Sequence, residues 1–326
     1  MWRALGAAGI AALVFMSCAG PQVTEPELDS VVWTRLTPTY VQNARYPDVR
    51  VDSMIFTAWG SNPGQPGVVY DRLAFSGVDG TSPFVSGYLG AATWTDYRPR
   101  WVRSQMIVFQ SNRAGNFEIY YRDLETFTDR RLFSSPLNES APVPRPNAPG
   151  LIYVEYEQPA RLGSSDLSGR IVLIPDTAAV PIERIYLTPD TMRCGEPDWH
   201  PSGQRIVFTS ENATDLSRHV YTMNLVPGDS AMVPLTTGPA NDFSPRWSPD
   251  GNRILFSSNR TGRWGLWVVH PQGEANGLKL VSFEDANAAV FTPIWTPDGA
   301  SIIASSNGRG GIRSLWLLTN LPDFGF

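Results

Sequence analysis

The sequence predicts an all-β chain, six repeats of four short antiparallel strands closed into a ring, and three observations support it. A proline set two residues before a further apolar position recurs as Pro47-Asp48-Val49, Pro99-Arg100-Trp101, Pro142-Val143-Pro144, Pro197-Asp198-Trp199, Pro245-Arg246-Trp247 and Pro293-Ile294-Trp295, at steps of 52, 43, 55, 48 and 48 residues. Self-similarity at that period marks a repeat architecture. Soon after each proline stands an apolar pair spaced by two: Met54/Phe56, Ile107/Phe109, Leu151/Tyr153, Ile206/Phe208, Ile254/Phe256 and Ile302/Ala304. That spacing puts both side chains on one face of a strand. Glycine and proline, 28 of each, supply the turns that many short strands require.

Each repeat then reads in order. The proline segment is a first strand and the alternating pair a second, joined by turn chemistry at Ser248-Pro249-Asp250-Gly251, Thr296-Pro297-Asp298-Gly299, His200-Pro201-Ser202-Gly203 and the degenerate Pro146-Asn147-Ala148. Proline presets φ and glycine accepts a positive φ, as a hairpin requires. Third strands follow at Val68-Val69-Tyr70, Ile119-Tyr120-Tyr121, Ile171-Val172-Leu173, Val220-Tyr221, Leu266-Trp267-Val268 and Leu315-Trp316-Leu317. Fourth strands end near Leu89, Leu132, Leu187, Leu235 and Leu280. Four such strands form one propeller blade. The sixth repeat stops after its third strand, whereas the chain opens on an unclaimed strand, Val31 to Thr37, whose Leu36-Thr37 ending matches Leu187-Thr188 and Leu235-Thr236. This strand is expected to complete the last blade, joining the ends of the chain and covering an open sheet edge. The fold class is therefore a six-bladed β-propeller over residues 30–320, with a tail at 321–326 that packs locally or frays.

The N-terminus carries an address. Met1-Trp2-Arg3 is a small basic segment, and Ala4 to Met16 is an apolar stretch of 13 residues, too short to span a bilayer as a helix. The stretch ends in Val14-Phe15-Met16-Ser17-Cys18, which resembles a bacterial lipobox, although Phe15 stands where leucine is usual. That resemblance implies a signal peptide over 1–17, lipidation of Cys18 and a tether over 18–29; ordinary cleavage after Ala19 is the alternative. Ala19 in place of aspartate implies sorting to the outer membrane. An acyl chain contributes about 0.8 kcal/mol per buried methylene, so a multiply acylated Cys18 would anchor firmly.

The run from Phe243 to Arg260, Phe-Ser-Pro-Arg-Trp-Ser-Pro-Asp-Gly-Asn-Arg-Ile-Leu-Phe-Ser-Ser-Asn-Arg, resembles the WD-like repeat of the TolB-type six-bladed β-propeller. The resemblance covers roughly residues 30–320, strongest in the last three repeats. TolB itself carries an α/β domain ahead of its propeller, for which there is no room between Cys18 and Ser30. Prolyl-oligopeptidase relatives place an α/β-hydrolase beside the propeller, and no Gly-x-Ser-x-Gly elbow occurs here. The resemblance thus implies a fold, while propellers of this kind serve as binding platforms, enzyme frameworks and lids.

Composition narrows the chemistry. A net charge of −5, from 26 basic and 31 acidic residues, disfavours a nucleic-acid partner. With Cys18 lipidated, Cys194 has no disulfide partner, and it reads as a small, partly buried loop residue. The three histidines, His200, His219 and His270, fall on different strands, and no His-Glu-x-x-His, Cys-x-x-Cys or phosphate-cradling glycine loop occurs. The sequence thus names no catalytic residue, metal ligand or cofactor.

In a propeller, the loops entering the first strand and those joining the second and third open around the central channel. The first set supplies Arg45, Tyr46, Asp96, Tyr97, Arg98, Glu139, Glu196, Asp242, Phe243 and Phe291; the second supplies Arg113 and Arg260, with long loops expected over 58–67 and 155–169. Aromatics mixed with arginines suit a protein or glycan partner, while the acids also read as solvated charges and the Asn-Arg pairs as turn residues. The leading expectation is a non-enzymatic, envelope-anchored module that binds a protein in the periplasm or at the outer membrane, by resemblance a peptidoglycan-associated or outer-membrane lipoprotein. The alternatives are a carbohydrate-binding or carbohydrate-cleaving propeller, with Glu139 and Glu196 as acid and base, and a structural subunit that makes contact through its rim.

Overall fold

The computed structural model describes residues 31–326 except 39, 62–68, 80–83, 86–93, 157–168, 213–215, 226–230, 283–288 and 309–310. Cys18, its signal and the whole tether therefore lie outside the described residues. The strands form six sheets of four. Blade 1 is β2 (Arg45–Arg50), β3 (Ser53–Ser61), β4 (Val69–Gly77) and β5 (Phe84–Val85). Blade 2 is β6 (Asp96–Arg103), β7 (Met106–Ser111), β8 (Glu118–Asp123) and β9 (Thr128–Arg131). Blade 3 is β10 (Asn138–Pro144), β11 (Leu151–Tyr156), β12 (Arg170–Ile174) and β13 (Ile185–Tyr186). Blade 4 is β14 (Cys194–Trp199), β15 (Arg205–Glu211), β16 (Arg218–Asn224) and β17 (Met232–Pro234). Blade 5 is β18 (Asp242–Trp247), β19 (Ile254–Ser258), β20 (Gly265–Val269) and β21 (Leu278–Ser282). Blade 6 is β22 (Val290–Trp295), β23 (Ile302–Ser306), β24 (Ser314–Thr319) and, as its outer strand, β1 (Val32–Arg35). The first strands of successive blades touch in the order β2, β6, β10, β14, β18, β22 and back to β2, which closes the ring.

The alternating pairs pack as their spacing dictates. Phe56, Phe109, Tyr153, Phe208 and Phe256 are fully buried, each between its own blade and a neighbour. Burying such a side chain stabilises by about 1.5–3 kcal/mol, so the repeated wedge accounts for much of the ring's cohesion. The hairpin turns follow their chemistry: Ser248 Oγ accepts from the Arg253 N–H at 3.0 Å, Asp250 Oδ1 accepts from the Asn252 N–H at 3.0 Å, and Thr296 and Asp298 repeat both contacts. Gly251, at φ 75°, faces the His200 ring of the preceding blade so closely that a Cβ would lie 2.3 Å from Nε2.

The Leu-Thr ending is the latch of the fourth strand. Leu187 and Leu235 donate their N–H to the third-strand carbonyls of Ile171 and Val220, while Thr188 and Thr236 accept from the N–H of those same two residues at 2.9 Å. Leu36 and Thr37 do the same to Leu315, at 2.8 and 3.0 Å, and β1 runs antiparallel to β24 from Val32↔Thr319 to Arg35↔Trp316. The orphan strand therefore closes blade 6, as its sequence foretold.

Two details differ from the sequence reading, and the tail takes the packed alternative of the two it allowed. β3 and β11 run on through Ser61 and Tyr156, because their β-ladders persist where loops were expected. Cys194 is fully buried as the first residue of β14, its thiol pushed up by burial, since it fills the seam between blades 3 and 4. The tail packs: Phe324 is buried edge-on against Trp295, and Phe326 lies against His270.

A chain beginning at Pro38 lacks the buried Leu36 and both contacts to Leu315, so it is expected to unfold at lower urea than one beginning at Val31, by about 3–5 kcal/mol. Equal urea midpoints would show that β1 does not close the ring.

Candidate binding face at the channel mouth

Each first strand breaks register at its proline. The pairing slips between Arg45/Asp48, Tyr97/Arg100, Ser140/Val143, Gly195/Asp198, Phe243/Arg246 and Phe291/Ile294. Proline brings no N–H to the ladder and disfavours the helical region for the residue before it, so a bulge is the natural outcome. That preceding residue, Tyr46, Arg98, Ala141, Glu196, Ser244 or Thr292, adopts φ between 47 and 53° in every blade. Its freed N–H is taken by a side chain of the previous blade: Tyr46 by Thr292 Oγ1 at 3.3 Å, Arg98 by Thr57 Oγ1 at 3.1 Å, Ala141 by Gln110 Oε1 at 2.9 Å and Ser244 by Glu196 Oε2 at 2.7 Å.

The bulge residues and the residues after the prolines form two tiers that fill the channel. In the upper tier the Arg98 guanidinium lies over the Tyr46 ring at 4.4 Å and 4.0 Å from Glu196, whose other contacts are the Ser244 N–H and hydroxyl. Burial opposes the charge of Arg98, but Tyr46 and Glu196 outweigh it and hold its pKa above the ordinary value. In the lower tier Arg100 pairs with Asp198 across the ring and lies 3.6 Å from Asp48, while Arg246 reaches Asp198 at 3.1 Å. Burial, reinforced by Arg100, pulls Arg246 down to about 10, still charged at neutral pH. Asp48 and Asp198 also accept from the N–H of Trp101 and Trp247 in the following blades, at 2.7 and 3.1 Å. The space left among these residues is about 20 Å³, room for about one water.

Above the plug lies a half-buried aromatic and guanidinium belt. Phe243 meets Trp264 at 5.5 Å, Trp264 meets Phe291 at 5.2 Å, and Arg313 lies over Phe291 at 4.7 Å. Tyr46 and Tyr97 meet edge to face at 4.8 Å, with Arg45 over Tyr97 at 4.9 Å. Burial lowers the pKa of Arg313, and the groups nearest its charge are Tyr46, Arg45 and Tyr97. Among the described residues no carboxylate pairs with Arg313, whereas Arg45 is held by Asp71 at 2.5 Å.

The residues singled out from sequence thus divide. Arg45, Tyr46, Tyr97, Phe243 and Phe291 share this mouth, and Arg98 and Glu196 plug it from below. Asp96 and Asp242 are fully buried, paired with Arg113 at 2.8 Å and Arg260 at 3.2 Å, and in both blades the arginine also bonds the serine two residues before it. These pairs pin the turn after β7 and β19 to the first strand. Glu139 is fully buried with neither carboxyl oxygen hydrogen-bonded, opposite Glu155 in the ladder. Burial, with Glu118 and Glu155 adding, pushes its pKa up to about 8 against the pull of Ser135 and Arg184. Glu196, by contrast, lines the channel and is taken up by Arg98 and by the Ser244 N–H and hydroxyl.

Sequence reading missed Trp264 and Arg313, which follow the variable turns after β19 and β23, and it missed the lower tier. The signal for that tier was the residue after each repeated proline, where Asp48, Arg100, Asp198 and Arg246 alternate in charge. It also missed a Ser-His-Asp line: Ser217 Oγ lies 2.9 Å from His219 Nε2, and His219 Nδ1 lies 3.9 Å from Asp242. Ser217 and His219 are only 5% and 3% exposed, so the trio ties blade 4 to blade 5 instead of presenting a nucleophile. Despite burial, His219 and Arg260 hold Asp242 below the usual carboxylate range. Among the described residues, no three His, Cys, Asp or Glu side chains are grouped to hold a metal ion.

Residues 182–317 match the family described as the TolB beta propeller domain. The chain folds as a six-bladed β-propeller, and it is residues 182–317 that are similar to that domain. Among solved structures, TolB from Acinetobacter baumannii superposes with a TM-score of 0.59 at 18% identity, over 82% of this chain and 64% of that one, so the chain spans less than two thirds of that TolB. An oligogalacturonate lyase in complex with manganese gives 0.57 at 16% identity, over 89% and 93%. The oligogalacturonate lyase of Vibrio parahaemolyticus gives 0.55 at 13%, over 93% and 96%. No curated protein matches in sequence. At such identities the likeness is one of fold.

Between the unfolded pKa of Glu139 near 4.5 and its folded value of about 8, the unfolded chain has lost a proton that the folded chain keeps, so stability falls as pH rises through that window. Glu139→Gln is expected to be as stable as the parent below pH ~4.5 and more stable above pH ~8, by at most about 4–5 kcal/mol. Urea midpoints across that range that stay parallel would contradict the burial of an un-ionised carboxyl.

Proposed function

We propose that this protein is a non-enzymatic interaction module of the bacterial cell envelope, lipid-anchored through Cys18, that holds a protein partner on the aromatic and guanidinium belt at its channel mouth. One observation carries the reading: the axis is filled by interlocked charges, while the mouth above it offers a broad, half-buried surface of Phe243, Trp264, Phe291, Arg313, Tyr46 and Tyr97. Aromatic and arginine side chains dominate protein-binding hot spots, and a filled axis leaves a platform in place of a cleft. The partner class, a peptidoglycan-associated or outer-membrane lipoprotein, follows by analogy with TolB and is the finer part of the proposal. Outer-membrane placement follows from Ala19 beside the lipobox-like Cys18.

The second reading, a glycan-binding propeller, draws on the fold shared with the oligogalacturonate lyases and on the same aromatics, which also suit sugar faces. Buried Glu139 and bonded Glu196 weigh against cleavage by that pair.

Capture from envelope extract with residues 19–326 tests the proposal when set beside Trp264→Ala/Phe291→Ala/Arg313→Ala, which spares the plug. The triple variant is expected to fold normally and to bind the captured protein at least ~30-fold more weakly, a loss of about 2 kcal/mol or more. Equal capture by both would move the working surface to the rim.

A further inference from the structure

The first strands run from the mouth towards a second face, which carries the turns between strands one and two and between strands three and four. On this turn face three apolar side chains stand out in consecutive blades: Val51 in blade 1, Phe127 in blade 2 and Val180 in blade 3, at 70, 75 and 97% exposure. Two of them sit where the backbone is left-handed, Val51 at φ 52° and Phe127 at φ 54°. Glycine, asparagine and aspartate suit that conformation, and a β-branched valine suits it least. The other blades show the default: positive φ in their first turns falls on Asn147, Gly203, Gly251 and Gly299. Folding alone therefore does not call for valine or phenylalanine at 51 and 127, and an outlier of this kind points to function. Leu216, likewise strained and exposed, lies on the mouth face.

A second observation says what covers this surface. β1 begins at the turn face, because Val32 pairs with Thr319 at the same end of the blade as Trp295 and Ile302. The chain running back from Val32 to Cys18 thus leaves from that face, next to blade 1, and spans at most ~50 Å when extended.

We propose that the turn face of blades 1–3 rests on a lipid bilayer, with Val51, Phe127 and Val180 seated among the upper acyl carbons and the channel mouth pointing away from the membrane. This rests on the lipid-anchor reading for the tether. Asp52, Asp123, Glu125 and Asp176 share these turns and offer no cation to an anionic headgroup, so the contact is made by the apolar side chains and, on a zwitterionic bilayer, is insensitive to salt. The bilayer holds the molecule by one face and leaves the opposite face free for a partner.

The test uses the full lipidated chain in phosphatidylcholine vesicles, with an environment-sensitive nitrobenzoxadiazole label on Val51→Cys, Phe127→Cys, Val180→Cys and, as mouth controls, Leu216→Cys and Ile312→Cys. Cys194 is buried and stays unlabelled. Labels at 51, 127 and 180 are expected to shift to shorter wavelength, to gain emission and to resist iodide quenching, unchanged by salt, while those at 216 and 312 do not respond. Val51→Gly/Phe127→Gly is expected to melt at a higher temperature while the label at 180 loses part of its shift. The mass of the mature N-terminal peptide reports separately on the anchor. An acylated Cys18 with silent labels at 51, 127 and 180, or responsive labels at 216 and 312, overturns the proposal.

Discussion

The fold depends on one local constraint, the proline-driven bulge in each innermost strand. Proline removes a ladder hydrogen bond near the axis and turns the preceding residue to positive φ, a conformation that costs on the order of 1–3 kcal/mol at a non-glycine position. Six such positions persist, and at Tyr46, Arg98, Ala141 and Ser244 the freed N–H bonds sideways, from one blade to the side chain of the previous one. A sheet bonds only within itself; the bulge converts part of that bonding into contact between sheets. The same bend turns the flanking side chains into the channel, where Arg98, Glu196, Asp48, Arg100, Asp198 and Arg246 interlock.

Much of this was legible in the sequence because it repeats. The proline column, the period-two apolar pairs and the Leu-Thr latch each recur, so even the displaced β1 was assigned to blade 6 from its Leu36-Thr37 ending. The site was less legible. A repeat fixes which residues stand near the axis but not whether they face a partner or each other, and that is why Asp96 and Asp242, expected at the surface, are buried against Arg113 and Arg260. Trp264 and Arg313 escaped notice because they follow turns of variable composition, where position in the repeat says little about direction. Glu139 shows the limit most plainly: its neighbours Glu118 and Glu155 come from strands in two different blades, and no spacing rule relates them.

Charge distribution separates structure from function. Carboxylates near the axis are committed, each to an arginine or to a backbone N–H of the next blade, with Glu139 the un-ionised exception. Among the described residues the guanidinium of Arg313 has no such carboxylate, and it sits among the aromatics that form the mouth. A surface with committed acids below and an uncommitted cation above suits a partner that brings its own acceptors, and it explains why a chain of net charge −5 can present a basic, aromatic face locally.

The central claim is that the mouth, and not the rim, is the working surface. Photo-crosslinking in intact cells tests it most directly, with a benzophenone side chain placed at Trp264 on the mouth or at Val233 on the outer edge of blade 4. The account predicts a discrete protein adduct from position 264 and none from 233. Adducts from 233 alone would place the working surface on the rim and contradict it.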